Sequence, residues 1–359
     1  MRPPPGRAGS SIYSMMDRKI LLIYTGGTIG MKQDPETGLL KPFDFQQITS
    51  EVPELKKFGY TIDTHSFDPL IDSSDVNPAF WVKLVGIIQA NYAYYDGFVV
   101  LHGTDTMAYS ASAMSFMLEN VEKPVIFTGS QLPIGMLRTD GKENLISSIQ
   151  LAADQDEAGF PRISEVCIYF DSKLFRGNRT TKYSAENFRA FRSANYPELA
   201  EVGIHIRYNE GAIYRPRRWG KPLRVHTDLD TRVAVLKIFP GLDEHMVRAV
   251  LSAPGLRAVV LETYGSGNSP SDPRFLDALR SFTEAGGVIV NVTQCQAGAV
   301  DMGAYANGDI LRQAGLVSGG DMTTEAAVTK LFVLLGQYAD NKIVREKVEI
   351  GVSGEISEK

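Results

Sequence analysis

Two hydroxyls and a carboxylate stand at the ends of apolar runs in the first third of this chain. Ile20-Leu-Leu-Ile23 has the composition of a buried parallel strand and runs straight into Tyr24-Thr-Gly-Gly-Thr28-Ile-Gly30. A hydroxyl at the carboxyl end of such a strand is held by rigid backbone, and Gly26 and Gly27 let a substrate come close. The design recurs where Phe98-Val-Val-Leu101 feeds His102-Gly-Thr104-Asp105-Thr106. Thr28, Thr104 and Asp105 together suit covalent chemistry on a small substrate, but a threonine is a poor nucleophile without a base. A lysine depressed in pKa by burial, or pinned by a carboxylate while it relays a proton, can serve. Arg176-Gly-Asn-Arg-Thr-Thr-Lys182, after the apolar run 165–170, offers Lys182, and Asp72-Ser73-Ser74 adds polar groups after the run 61–67.

Each piece alone has a plainer reading. The glycine turn suits a strand-to-helix connection or a degenerate phosphate loop, although it lacks the Gly-x-Gly-x-x-Gly register and no Lys-Ser/Thr follows Gly30. Asp105 and Thr106 could cap the helix that follows, and Lys182 could be a surface lysine. Thr104, Asp105 and Lys182 taken together, as hydroxyl, orienter and base, favour catalysis.

The elements that must position these groups follow from the alternation of short apolar strands with amphipathic helices, which predicts an α/β fold with mainly parallel sheets covered on both faces. Strands are expected over 20–24, 61–67, 97–101, 125–128 and 165–170, and helices over 78–92, 106–120 and 141–153. Met107, Ala111, Met114 and Leu118 fall on one face of the second helix, a core stripe. The alternation lapses near 208–230 and resumes with strands at 233–238, 258–261 and 288–292 and helices at 243–252, 273–285 and 324–336. The expected organisation is a disordered extension over 1–16, a larger amino-terminal catalytic domain over 17–208, a linker over 209–230 and a smaller carboxy-terminal domain over 231–359.

Composition narrows the function class. The 359 residues are 43% hydrophobic and 22% charged, ordinary for a globular enzyme. A net charge of -5 without a long basic run argues against nucleic acid, and the basic segment 215–218 with Lys221 and Arg224 carries the prolines and tryptophan of a connector. Cys167 and Cys295 read as two reduced core thiols, too few for a disulfide framework. The five histidines form no His-x-x-x-His pair, so no metal site is expected. No apolar run reaches the ~20 residues of a membrane span, and the first sixteen residues lack the apolar core of a signal peptide.

Seven ordered blocks resemble the bacterial-type L-asparaginases: Thr25-Gly-Gly-Thr28-Ile-Gly, His102-Gly-Thr104-Asp105-Thr106, Phe127-Thr-Gly-Ser-Gln-Leu-Pro, Arg138-Thr-Asp-Gly-Lys-Glu-Asn-Leu, Arg176-Gly-Asn-Arg-Thr-Thr-Lys182, Asn291-Val-Thr-Gln-Cys295 and Gly320-Asp-Met-Thr-Thr-Glu. The likeness spans residues 18 to about 339, and the Thr-Gln-Cys block points to the cytoplasmic type I branch. It implies a two-domain α/β fold and cofactor-free hydrolysis of L-asparagine to L-aspartate and ammonia through a β-aspartyl-enzyme intermediate. By this resemblance Thr28 matches the primary nucleophile; Thr104, Asp105 and Lys182 match the second catalytic group. Asp72 and Ser73 match the loop that holds the substrate's α-amino and α-carboxylate groups, and Asp105 suits the substrate ammonium. Asn268, in Tyr264-Gly-Ser-Gly-Asn268-Ser, matches more loosely a position that reaches a neighbouring subunit's site. Which threonine forms the covalent bond stays open.

One departure stands out. Many relatives carry an assisting tyrosine on the loop after the first motif, whereas residues 31–45 contain none; Tyr305 matches a tyrosine used by some type I-like relatives. Tyr24 reads as packing. The resemblance also implies a homo-oligomer, dimer or tetramer, and an allosteric asparagine pocket at Thr181 and Cys295, with Cys295 as core filler the equal alternative. Competing functions are a glutaminase or dual amidase, a relative acting on charged transfer RNA, a non-catalytic asparagine sensor and a nucleotide-binding protein.

Overall fold

The computed structural model describes residues 18–33, 36–38, 40–42, 52–215, 219–303 and 306–357. The amino-terminal extension lies outside them. The chain divides into two compact units between Val225 and His226. The described residues before that point are tied to the first unit: Trp219 packs on Phe160 with ring centroids 4.7 Å apart, and the Gly220 N–H donates to Glu122 at 2.7 Å.

Lys19–Tyr24 (β1) lies near one edge of an eight-stranded sheet, and Ile20 to Ile23 are at most 3% exposed. The other strands are Thr61–Ser66 (β2), Gly97–Leu101 (β3), Val125–Thr128 (β4), Val166–Phe170 (β5), Lys173–Arg176 (β6), Ala200–Val202 (β7) and Ile206–Tyr208 (β8), in the order β8-β7-β6-β5-β4-β3-β1-β2. The five from β2 to β5 pair in parallel. From β5 onward the pairing is antiparallel, so the sheet is mainly parallel, as expected, with an antiparallel edge. The change of direction is made by a two-residue turn, Asp171 and Ser172, with φ of 47° and 66°. Both residues are in the left-handed region, as a tight right-twisted hairpin requires.

Among the described residues three helices serve this sheet. Pro78–Asn91 (α1) starts at a proline, with Asn77 accepting from the Ala79 and Phe80 N–H groups. Met107–Met117 (α2) is shorter than expected and buried at every position but Tyr109, so its methionines form part of an enclosed rod rather than one stripe; Leu118 lies beyond its end. Gly141–Ala153 (α3) begins after Asp140.

The second unit holds a four-stranded parallel sheet, Val233–Lys237 (β9), Ala258–Thr263 (β10), Val288–Thr293 (β11) and Val317–Ser318 (β12), in sequence order. Its helices are Glu244–Leu251 (α4), Pro273–Glu284 (α5), Ala306–Gln313 (α6), Thr324–Gln337 (α7) and Asn341–Val348 (α8). A buried ion pair, Lys330 to Glu355 at 2.6 Å, ties α7 to the chain's last turn, where Glu355 accepts the Val352 and Ser353 N–H groups.

Candidate active site

The strand order places β1 between β2 and β3, so the chain leaves β1 for one neighbour and later returns on the other side. In an open α/β sheet such a switch point opens a crevice at the carboxyl ends of the strands. Three loops meet there: Thr25–Gly30 after β1, the 67–77 stretch after β2 and 102–106 after β3.

These loops pack backbone on backbone. Gly27 has φ 90°, and a Cβ there would lie 2.6 Å from the Gly103 nitrogen and 2.7 Å from its Cα. A Cβ on Gly103 would in turn meet the Ser73 Oγ at 2.4 Å. The Gly27 and Gly103 Cα atoms are therefore about 4 Å apart, and one step of ~3.8 Å on each side leaves those of Thr28 and Thr104 no more than about 12 Å apart. Both threonines are half-buried, and among the described residues the Thr28 hydroxyl has no hydrogen-bond partner. The other hydroxyl of the first turn is spent: Thr25 Oγ1 donates to the Leu101 carbonyl at 2.9 Å, locking β1 to β3.

Lys182 reaches the same place from far along the chain. Its Nζ donates to Thr104 Oγ1 at 2.9 Å and to Asp105 Oδ1 at 2.6 Å. Its side chain is 20% exposed, whereas that of Asp105 is 62% exposed. Asp105 therefore orients the ammonium from the solvent side. Neither Asp105 nor Thr106 caps α2; the Thr106 hydroxyl instead donates to the Ser73 carbonyl at 2.6 Å, joining two of the three loops.

Lys182 is delivered by a strongly held segment. Arg176, at the end of β6, pairs with Glu165 at 2.6 Å with both side chains under 10% exposed. Arg176 also donates to the Ala212 carbonyl, and the Tyr214 N–H donates to Glu165. Tyr196 lies under the Arg176 guanidinium at 4.3 Å. Beyond this anchor Gly177–Arg179 makes one buried turn, and Thr181 and Lys182 pair antiparallel with Arg192 and Phe191.

Asp72 and Ser73 end the β2 side. Asp72 Oδ1 accepts from the Ser74 N–H and hydroxyl, both at 2.8 Å. These hydrogen bonds, the backbone one foremost, hold its carboxyl below the usual range, so it is an exposed anion at neutral pH. Ser73 is buried.

Residues whose part was not foreseen hold the surroundings. Asp140 accepts from the Gln131 and Leu132 N–H groups and from Asn144, and burial raises its pKa. Gln131 donates to the Ala185 and Asn187 carbonyls just past Lys182. Their blocks were visible as motifs, but nothing in spacing assigns such roles. Tyr24 is packing as read: it is 1% exposed, and a Cβ on Gly30 would strike its ring at 2.2 Å.

The remaining residues lie elsewhere or outside the described set. Asn268 sits in the second unit on the turn after β10, where its N–H donates to the Tyr264 carbonyl. Cys295 corrects the expectation of two core thiols: Cys167 is buried, but Cys295 is exposed, with its N–H on Thr293 Oγ1 at 3.0 Å. Thr181 is half-buried in the first unit. Tyr305 lies outside the described residues. Among the described residues no cluster of His, Cys, Asp or Glu is arranged to hold a metal ion, and no helix is long and apolar enough to cross a membrane.

Comparison with known proteins bears directly on this geometry. Residues 19–214 match the family described as Asparaginase, N-terminal, and residues 232–347 match the Glutaminase/Asparaginase C-terminal domain. The chain belongs to the L-asparaginase family. It is 43% identical to L-asparaginase 1 of Escherichia coli K12, over 96% of this chain and 99% of that protein. The L-asparaginase I structure from Vibrio cholerae superposes with a TM-score of 0.87 at 40% identity, covering 95% of this chain and 99% of that one. A 60 kDa lysophospholipase of Mus musculus is 43% identical over 89% of this chain and 59% of its own length. These relationships place the chain in the type I branch of the L-asparaginases and make it an amidohydrolase with the two-domain asparaginase fold.

Proposed function

We propose that this amidohydrolase hydrolyses L-asparagine to L-aspartate and ammonia, with Thr28 as nucleophile. The observation that carries the reading is the Lys182 amine held within hydrogen-bond reach of both Thr104 and Asp105, beside the turn that presents Thr28. Thr28 Oγ attacks the side-chain amide carbon as its hydroxyl proton passes to the amide nitrogen; the C–N bond breaks, and ammonia leaves a β-aspartyl ester on Thr28. A water oxygen then attacks the ester while its proton passes by way of Thr104, Lys182 and Asp105 to the departing Thr28 oxygen; the C–O bond breaks, and Thr28 regains its hydrogen. Backbone N–H groups of the Thr104 turn receive the oxyanion, and each such donor typically contributes ~3–4 kcal/mol. Asp72 and Asp105, both solvent-facing, suit the α-ammonium of a free amino acid, with Ser73 on the α-carboxylate.

Glutamine is the second reading, favoured by the match to a family domain described for both amides. Ammonia release with each amide over a wide concentration range tests both, and kcat/KM favouring asparagine is expected. Equal values would make the enzyme a dual amidase, and no release from either would refute the proposal. Three further proposals rest on the type I likeness: work in the cytoplasm without a cofactor, a homo-oligomer up to a tetramer in which Asn268 serves a neighbouring site, and allosteric asparagine binding at Thr181 and Cys295. Tyr305 is the proposed assisting phenol. Mass measurement in solution reads the oligomer, and a hyperbolic rate curve would remove the allosteric site.

A further inference from the structure

His102 sits one residue before the Gly103–Thr104 peptide, is 1% exposed, and is hydrogen-bonded at both ring nitrogens. Its Nδ1 lies 2.6 Å from the Gly103 carbonyl and its Nε2 lies 2.9 Å from Ser110 Oγ. Ser110 Oγ is also 3.0 Å from Trp81 Nε1. The partners of the ring decide which nitrogen carries its proton. The Gly103 carbonyl can only accept, so Nδ1 must carry the proton. Indole Nε1–H can only donate, so Ser110 accepts from Trp81; in a ring that burial keeps neutral, Nε2 is then bare and takes the Ser110 hydrogen. The neutral ring is therefore the Nδ1–H tautomer.

The consequence lies across the peptide plane. In a planar trans peptide the C=O and N–H point in opposite directions. With the Gly103 carbonyl turned onto the buried imidazole, the Thr104 N–H points away from the core. Among the described residues that N–H has no hydrogen-bond partner. It belongs to the residue whose hydroxyl Lys182 holds.

We propose that His102 is a positioning residue, whose Nδ1–H tautomer, locked by Ser110 and Trp81, grips the Gly103 carbonyl and so aims the Thr104 N–H at the amide oxygen on which negative charge develops. The role rests on the asparaginase reading. The ring is walled by Phe80 and Trp81 of α1, Ser110 of α2 and Phe127 of β4, none of them charged, and the charged group of its own turn, Asp105, is paired with Lys182. Burial depresses its pKa to about 4, so the tautomer survives across the neutral range.

The test compares His102→Asn, whose amide N–H can take the place of Nδ1–H, with His102→Leu, which has no donor. An oxyanion donor acts in the transition state, so its loss should fall on kcat. His102→Leu is expected to lower kcat for L-asparagine about 100-fold with KM changed less than about threefold, and His102→Asn to recover most of it. Equal kcat in the two variants, or a loss confined to KM, would overturn the proposal. Should the leucine variant not fold, nitrogen-15 NMR of the wild-type imidazole decides: a neutral Nδ1–H ring at pH 5.5 is expected, and an Nε2–H or charged ring overturns it. A wild-type protein that released no ammonia would instead refute the functional reading, and with it the purpose of the aimed N–H.

Discussion

Lys182 Nζ stands 2.9 Å from Thr104 Oγ1, although 78 residues of chain separate them. The lysine can exchange a proton with a hydroxyl at the end of β3 while Asp105 keeps it in place. Lys182→Met keeps the side chain's length and removes the amine. It is expected to lower kcat for L-asparagine about a thousand-fold with little change in Tm, as checked by ammonia release and thermal melting.

The anchor behind Lys182 should be felt in stability. Glu165→Ala leaves the Arg176 guanidinium buried without its carboxylate and frees the Tyr214 N–H. Loss of one partner from such a pair costs about 3–5 kcal/mol, measurable by urea unfolding. A variant as stable as wild type would show that the ion pair does not hold this segment.

Gly27 should tolerate no side chain. At φ 90°, with a Cβ 2.6 Å from the Gly103 nitrogen, Gly27→Ala must push the first turn away from the second. A loss of at least about 2 kcal/mol, with activity reduced more than the unfolded fraction explains, is expected from combined unfolding and rate measurements.

His102 gives the protein an acid-side weakness. Its pKa is about 4 when folded against 6.5 as a free side chain. Above pH 6.5 the ring is neutral in both states and costs nothing. Between pH 6.5 and 4 the unfolded chain binds a proton that the fold refuses, so stability falls by about 3 kcal/mol in total. Urea unfolding at pH 7 and pH 4 should show wild type losing about that much more than His102→Asn.

Much of this was legible in the sequence where burial is simple. β1 and β3 are continuous apolar runs because central parallel strands are covered on both faces, and each run ends on its glycine turn. The alliance of Thr104, Asp105 and Lys182 followed from their chemistry. The antiparallel half of the sheet did not, because β7 and β8 have three residues each and the Asp171-Ser172 turn lacks the glycine that marks a tight hairpin. Thr25 and Thr28 looked alike as hydroxyls, and only the fold shows that Thr25 is committed to the Leu101 carbonyl. His102 was in view as a motif letter, but its partners Ser110 and Trp81 lie on two different helices. Cys295 misled because its block follows an apolar strand, while the thiol itself lies past the strand end.

The most direct test of the account is kcat/KM for L-asparagine in Thr28→Ser and Thr28→Val. The serine variant keeps a hydroxyl on the same turn and is expected to retain measurable turnover. The valine variant keeps the shape without the nucleophile and is expected to lose nearly all of it, by about 10⁴-fold or more. Wild-type turnover by the valine variant would contradict the assignment of Thr28.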